Sequence, residues 1–156
     1  MKLTEFSIRC MELADLEAVS LIEQWVQVVP WTKNIFIDCL RAGYQGFIVE
    51  RRQEVVGFVL FTFAAGECHI LNIAISPLEQ SQGIGYWLMQ YVLNHLKQLS
   101  ASSVFLEVRA SNRKAQALYK KLQFKEIGQR KGYYQAKQGR EDAIVMSLEL
   151  ANLSFG

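Results

Sequence analysis

Proline is scarce in this sequence, with two residues in 156, and so are histidine, with two, and cysteine, with three. Each shortage argues against something. Cys10, Cys39 and Cys68 are odd in number and far apart, no CxxC pair occurs, and the histidines are His69 and His95. That pattern speaks against zinc sites and against a disulfide framework. The cysteines read instead as small reduced core residues, which implies a cytoplasmic compartment. No apolar run approaches the roughly 20 residues of a membrane span. The opening MKLTEFSIRC has no apolar centre of the kind a signal peptide needs. An excess of one charge is missing as well: 17 Lys and Arg against 15 Asp and Glu leave a net charge of +2. Such a balance offers nothing to a nucleic acid or a membrane surface, and neither is expected as a partner.

What the chain does have is a core. Hydrophobic residues make up 51% of it, enough for one globular domain over 1–150, with 151–156 as a short tail expected to fray. SIRCMEL reads as a first strand. ADLEAVSLIEQWVQ carries Leu16, Val19, Ile22 and Val26 at helical spacing, with Asp15 as N-cap, and Pro30 stops it. A second helix, WTKNIFIDCLRAG, is expected between Thr32 as cap and Gly43 as stop. QGFIVERR and EVVGFVLFTFAA are two strands around a tight polar turn at Gln53, and CHILNIAIS is a third. The helix that follows is predicted to bury Ile84, Trp87, Leu88, Tyr91, Val92, Leu96 and Leu99. SVFLEVRA is a strand, SNRKAQALYKKL a helix capped by Ser111 or Asn112, and two closing antiparallel strands end the chain. The expected architecture is mixed α/β, with helices on both faces of one sheet and a parallel crossover around the third helix.

That crossover begins with QSQGIG, and two glycines at the start of a helix need a reason. Glycine costs roughly 1 kcal/mol against alanine inside a helix. A helix N-terminus, however, presents unpaired N–H groups and a partial positive charge, and glycine lets an anion approach the backbone. A P-loop is absent, because no GxxxxGK[ST] occurs. The GxGxxG dinucleotide pattern fails at Leu88. The pyrophosphate of coenzyme A and a plain helix start both remain open on the glycines alone.

The surrounding motifs are more specific. QSQGIG resembles the Q/R-x-x-G-x-G/A signature of the GCN5-related N-acetyltransferase (GNAT) family, and the element order is similar from about residue 6 to 150. VPWT, LNIAI, FLEVRASN, ALYKKLQF, RKGYY and GREDAIVM occur in the order shown by the family's RimI-like branch, the ribosomal-protein-alanine N-acetyltransferases. The resemblance implies a GNAT fold: a mostly antiparallel central sheet with a V-shaped cofactor cleft between two central parallel strands. It implies acetyl-CoA as cofactor and an N-terminal α-amine as acceptor, that of an alanine on a small-subunit ribosomal protein. A lysine side chain or small amine as acceptor, and a non-catalytic acetyl-CoA sensor, are the alternatives. The expected assembly is a monomer or weak homodimer.

Residue by residue, the resemblance places Gln80, Ser81, Gln82, Gly83, Ile84 and Gly85 on the pyrophosphate. It places the backbone of Ile73, Ala74 and Ile75 along the pantetheine arm, with Asn112 and Tyr119 also at the cofactor. Glu107 interrupts the apolar VFLEV, and strand alternation puts it on the face of Phe105 and Arg109. An ion pair with Arg109 would account for a carboxylate there; the resemblance makes it the general base. Tyr119 reads either as a core tyrosine or, by resemblance, as the general acid that protonates the departing sulfur. The implied peptide groove is walled by Pro30, Trp31 and Thr32 and by Tyr133, Tyr134, Arg140, Glu141 and Asp142. Gln123 departs from the family, which usually has a glycine of positive φ there, and Gln80, Ser81, Gln82 and Tyr86 make the phosphate loop less basic than usual.

Overall fold

The computed structural model describes residues 3–153, and its order of elements is the one the periodicities predict. Strand β1 (Phe6–Cys10) is followed by helices α1 (Leu16–Val26) and α2 (Lys33–Arg41), then by strands β2 (Gln45–Arg51), β3 (Glu54–Ala64) and β4 (Glu67–Ile75). Helix α3 (Ile84–Gln98), strand β5 (Ser103–Arg109), helix α4 (Arg113–Lys121) and strands β6 (Lys125–Gln135) and β7 (Arg140–Glu149) complete it. The seven strands lie in one sheet in the order β1-β2-β3-β4-β5-β7-β6. β1–β2, β2–β3, β5–β7 and β6–β7 pair antiparallel, whereas β4 and β5 are parallel, as a strand–helix–strand crossover requires. The parallel ladder joins Glu67–Ile70 to Ser103–Leu106, and β4 runs on through Ile75 and β5 through Arg109. Between β2 and β3 the turn is as tight as expected: Arg51 pairs with Glu54, and Arg52 and Gln53 both take positive φ, the mirror-image turn that suits strand twist.

The chain divides into two compact units, one of residues up to 62 with 71–88, the other of residues 63–70 with those from 89 onward. In the first, Leu16, Val19 and Ile22 of α1 and Phe36 of α2 pack with Ile48, Phe58, Leu60 and Ala74 of the sheet, and with Met11. Burying each large side chain of this kind contributes about 1.5–3 kcal/mol. Phe36 is central: its ring meets Trp31 at 5.3 Å and Phe58 edge-on at 5.6 Å. Thr32 caps α2 by accepting the N–H of Ile35, and Gly43 ends the segment with φ +90.

Asp15 is not the side-chain cap of α1. A short 3-10 turn (Leu13–Asp15) precedes that helix, and the Asp15 carboxylate accepts the N–H of Glu12 at 2.7 Å. Arg9 then grips it through both terminal nitrogens, at 2.8 and 2.6 Å. Hydrogen bonding from Arg9 is the main reason its pKa lies below the ordinary value. Because the folded pKa is depressed, this carboxylate stabilises the fold above the unfolded pKa of about 3.9 and loses that effect as pH falls through its folded value. Asp15→Asn is therefore expected to lower stability by about 1–3 kcal/mol at pH 7, with the difference from wild type closing below about pH 4. Urea midpoints at pH 7, 5 and 3 check it.

In the second unit, Met89, Val92, Leu93 and Leu96 of α3 are buried along with Val104, Leu106 and Val108 of β5 and Ala143, Met146 and Leu148 of β7. The buried face of α3 differs from the expected one. Ile84, Leu88, Val92 and Leu96 are shared, but Met89 and Leu93 widen the stripe on one side, and Tyr91 and Leu99 stand 42% and 43% exposed. Tyr91 sits at the opposite edge of the stripe, and Leu99 falls beyond the last helical residue, where Ser100 turns with positive φ. Of the cysteines, Cys68 fits the core reading, Cys39 is half-buried, and Cys10, at the end of β1, is exposed.

Helix α4 ends on Gln123, whose φ of +76 is the left-handed conformation that favours glycine. The N–H of Phe124 returns to the carbonyl of Tyr119 at 2.9 Å, closing the helix around that residue. Gln123→Gly is expected to stabilise the protein by about 1 kcal/mol, a rise in Tm of about 2–4 °C by calorimetry. At the other side of the helix start, Asn112 is the cap, its Oδ1 accepting the N–H of Ala115 at 3.1 Å. Strand β6 ends the sheet order; its side chains are almost all exposed, and its register with β7 shifts twice, between Glu126 and Gly128 and between Arg130 and Tyr134. The tail expected to fray makes a 3-10 turn (Leu150–Asn152), and Leu153 is buried with its carbonyl held by Lys97 Nζ at 3.1 Å. The rest of it, residues 154–156, lies outside the described residues.

Candidate active site

In the first unit, β4 alternates cleanly: Asn72 and Ala74 are buried, while Ile73 and Ile75 are half-exposed. After β4, a 3-10 turn (Pro77–Glu79) leads into the segment with the two glycines. Ser81 and Gly83 adopt φ of +67 and +82, in the left-handed region, before α3 begins at Ile84. Side chains brace this loop from within. Gln80 Nε2 donates to the carbonyl of Ile75 at 2.9 Å, and Gln82 Nε2 donates to Glu79 Oε2 at 2.9 Å. Glu79 is itself buried and paired with Arg51 Nη1 at 2.8 Å. Gln80 and Gln82 thus serve the loop's shape with their side chains, and the positive character offered to an anion comes from N–H groups and the start of α3.

The segment after α1 is anchored by a carboxylate that sequence reasoning missed. Glu23 is 1% exposed. Its Oε2 accepts the N–H of Trp31 at 2.9 Å, and its Oε1 accepts from Asn72 Nδ2 at 3.0 Å. Gln27 Nε2 in turn donates to Asn72 Oδ1 at 3.1 Å. Burial pushes the Glu23 pKa above the ordinary carboxylate value, against the pull of these hydrogen bonds. The network fixes Trp31 in place, half-buried on Phe36, beside the exposed Pro30.

The second unit gathers the remaining groups. Glu107 lies on the half-exposed face of β5 with Phe105 and Arg109, as strand alternation predicts. Its partner is not Arg109. Arg109 Nη1 pairs with Glu141 Oε1 at 3.1 Å, Nη2 donates to the carbonyl of Gln135, and the guanidinium lies 4.6 Å from the centre of the Tyr134 ring. Glu107 Oε2 instead meets Nε2 of His69, one pleat away on the neighbouring parallel strand, where His69 is in register with Phe105. The Glu107 side chain is 8% exposed and that of His69 is 39% exposed.

Two tyrosines on β6 feel the same carboxylate. Burial first, then the charge of Glu107, raises the pKa of Tyr133; burial, Tyr133 and Glu107 raise that of Tyr134. Their rings meet edge-on at 4.9 Å. Arg140, Glu141 and Asp142 of the closing hairpin are engaged by neighbouring groups. Glu141 Oε2 accepts the N–H of Ser111 at 2.7 Å, Asp142 Oδ1 accepts the N–H of Gly132 at 2.9 Å, and Arg140 donates to the carbonyls of Gly132 and Tyr133. Tyr119 of α4 is buried against Phe124, and burial pushes its hydroxyl up to about 12, so it holds its proton at neutral pH.

The order of elements and the likeness to known proteins place the chain among acyltransferases. Residues 10–124 match the Acetyltransferase (GNAT) family, and the chain belongs to that family. It is similar to the ribosomal protein bS18-alanine N-acetyltransferase of Escherichia coli K12, with 34% identity over 145 residues that cover 93% of this chain and 98% of that one. The crystal structure of the Escherichia coli ribosomal-protein-S18-alanine N-acetyltransferase matches with a TM-score of 0.89 at 34% identity, over 96% of this chain and 99% of that one. Ard1 from Thermoplasma volcanium matches with a TM-score of 0.84 at 26% identity, over 93% of this chain and 97% of that one.

Proposed function

We propose that this protein acetylates the N-terminal α-amine of a ribosomal S18 protein, at alanine, using acetyl-CoA. The observation that carries the reading is the end-to-end similarity, at 34% identity, to an enzyme named for that substrate. The residues present fit the cofactor. Ser81 and Gly83 bend the loop with positive φ while Gln80 and Gln82 are drawn back into its framework, and Ile73 and Ile75 are half-exposed along β4. When bound, acetyl-CoA supplies an acetyl group activated as a thioester.

In this reading the amides from Gln80 to Gly85 hold the pyrophosphate. The backbone of Ile73, Ala74 and Ile75 orients the pantetheine arm, and one N–H near Ile73 polarises the thioester carbonyl. Asn112 keeps its capping role while its amide addresses the cofactor. Glu107 takes the proton of the acceptor amine, through a water, and Tyr119 Oη gives a proton to the sulfur as it leaves. Pro30 and Trp31 on one side of the sequence, and Tyr133 and Tyr134 on the other, line the acceptor peptide, with Arg140, Glu141 and Asp142 shaping the hairpin that presents the tyrosines.

The acceptor chemistry suits a single carboxylate. A terminal α-amine has a pKa of about 7.7–8.0 against about 10.4 for lysine, so near pH 7.5 much of it is neutral, compared with about one lysine in a thousand. Coenzyme A release is the test, with a peptide beginning Ala-Arg beside the same peptide N-terminally blocked and carrying an internal lysine. Turnover confined to the free N-terminus is the expected result. Turnover of the blocked peptide would transfer the assignment to lysine, and binding of acetyl-CoA without turnover of either would remove the peptide acceptor.

A further inference from the structure

A carboxylate set into the apolar run of β5 is costly unless something compensates it. Its nearest same-strand cation, Arg109, is committed to Glu141, Gln135 and the Tyr134 ring. The compensation comes from His69, whose Nε2 meets Oε2 of Glu107. A general base must be an ionised carboxylate, which only accepts hydrogen bonds, so that role for Glu107 requires the tautomer of His69 that carries its proton on Nε2. The tether holds one oxygen, Oε2, and leaves the other, Oε1, outside it.

We propose that His69 is a positioning residue for Glu107, and this rests on the reading of Glu107 as general base. The Nε2–H of His69 fixes the rotation of the carboxylate about its side chain and holds Oε1 toward the acceptor amine. The parallel register makes the tether rigid: His69 lies opposite Phe105 in a hydrogen-bonded ladder, and that ladder fixes its Cα against the strand carrying Glu107. The arrangement parallels the way an orienting group holds a catalytic base in other enzymes, except that here the carboxylate is the base and the imidazole the orienting group.

The test is steady-state kinetics on the full chain with the free Ala-Arg peptide. His69→Ala is expected to lower kcat by about tenfold to a hundredfold, since small misplacements of a reacting group have effects of that size. KM for acetyl-CoA and for peptide should stay within about twofold, because the tether acts on the base and not on binding. His69→Leu, which keeps the packing and loses the N–H, should match alanine. His69→Gln, whose amide N–H reaches toward the same oxygen, should recover most of the loss. Placed on top of Glu107→Gln, His69→Ala should add almost nothing.

The inference is overturned alone if Glu107→Gln collapses turnover while His69→Ala does not. It is likewise overturned if His69→Gln fails to recover the loss or if the two losses add, since a purely structural histidine behaves that way. If Glu107→Gln itself leaves kcat unchanged, the general-base reading has failed, and the tether's role falls with it.

Discussion

Glu107→Gln is expected to lower kcat for a peptide with a free N-terminus by about two to three orders of magnitude, the usual worth of a positioned base. Acetyl-CoA affinity should change little, because no part of the cofactor's proposed grip depends on that carboxylate. The deficit should depend on pH in a stated direction. An α-amine with a pKa of about 7.7–8.0 is mostly protonated at pH 6.5 and mostly neutral at pH 8.5. A base is needed most where the amine still holds its proton, so the ratio of wild-type to variant kcat should be largest at low pH and shrink as pH rises. Glutamine is nearly isosteric and can still accept from His69, which limits structural disturbance. Loss of acetyl-CoA binding in parallel with turnover, measured by calorimetry, would make Glu107 a structural residue.

Phe36→Ala carries the largest expected effect on stability, about 3–5 kcal/mol. Phe36 has no exposed surface and touches core side chains from both helices and the sheet of the first unit. The ring also contacts Trp31 and Phe58, and aromatic pairs of this geometry contribute about 0.5–1.5 kcal/mol beyond burial. Removing it opens a cavity that rigid strands on one side cannot fill. A second consequence follows from position. Trp31 would lose the surface it rests on while its N–H stays bound to Glu23, so the segment at Pro30 should loosen and KM for the peptide should rise at temperatures where the variant is still folded. Urea unfolding measures the first effect; a loss below about 1 kcal/mol would mean that α2 repacks around the gap.

Much of this architecture was legible in the residue order. The 3.6- and 2-residue periods located the helices and the buried strands, because each of these shows the core its own face, whereas β6 has almost no buried side chain to give it a period. The turn at Gln53 and the stop at Gly43 could be read locally, since backbone conformation there depends on a few adjacent residues, whereas the left-handed Gln123 was reached only through the resemblance, from the glycine usual at that position. The hidden parts are pairings across distance. His69 with Glu107, Arg51 with Glu79 and Glu23 with Asn72 are separated by 38, 28 and 49 positions. Strand register and the folding-back of the chain make them, and neither leaves a periodic trace. Glu23 was the most visible of them in principle, as a charged residue four positions after Val19 and seven after Leu16, on the buried stripe of α1. The rotation of the α3 face was missed because Met89 and Leu93 and the pair Tyr91 and Leu99 are equally apolar; only the packing distinguishes them.

Strand β6 ends the sheet order, and an open strand edge is a template for further strands. Lys125, Arg130 and Lys131 lie along it, and its two register shifts break the regular row of backbone groups that an incoming strand would need. The same irregular strand that carries Tyr133 and Tyr134 is therefore a guard against self-assembly into fibrils. Smoothing it by engineering, with β-branched residues in place of those cations, would trade that protection for a straighter edge, and a stability gain measured in dilute solution would conceal the loss until the protein was concentrated.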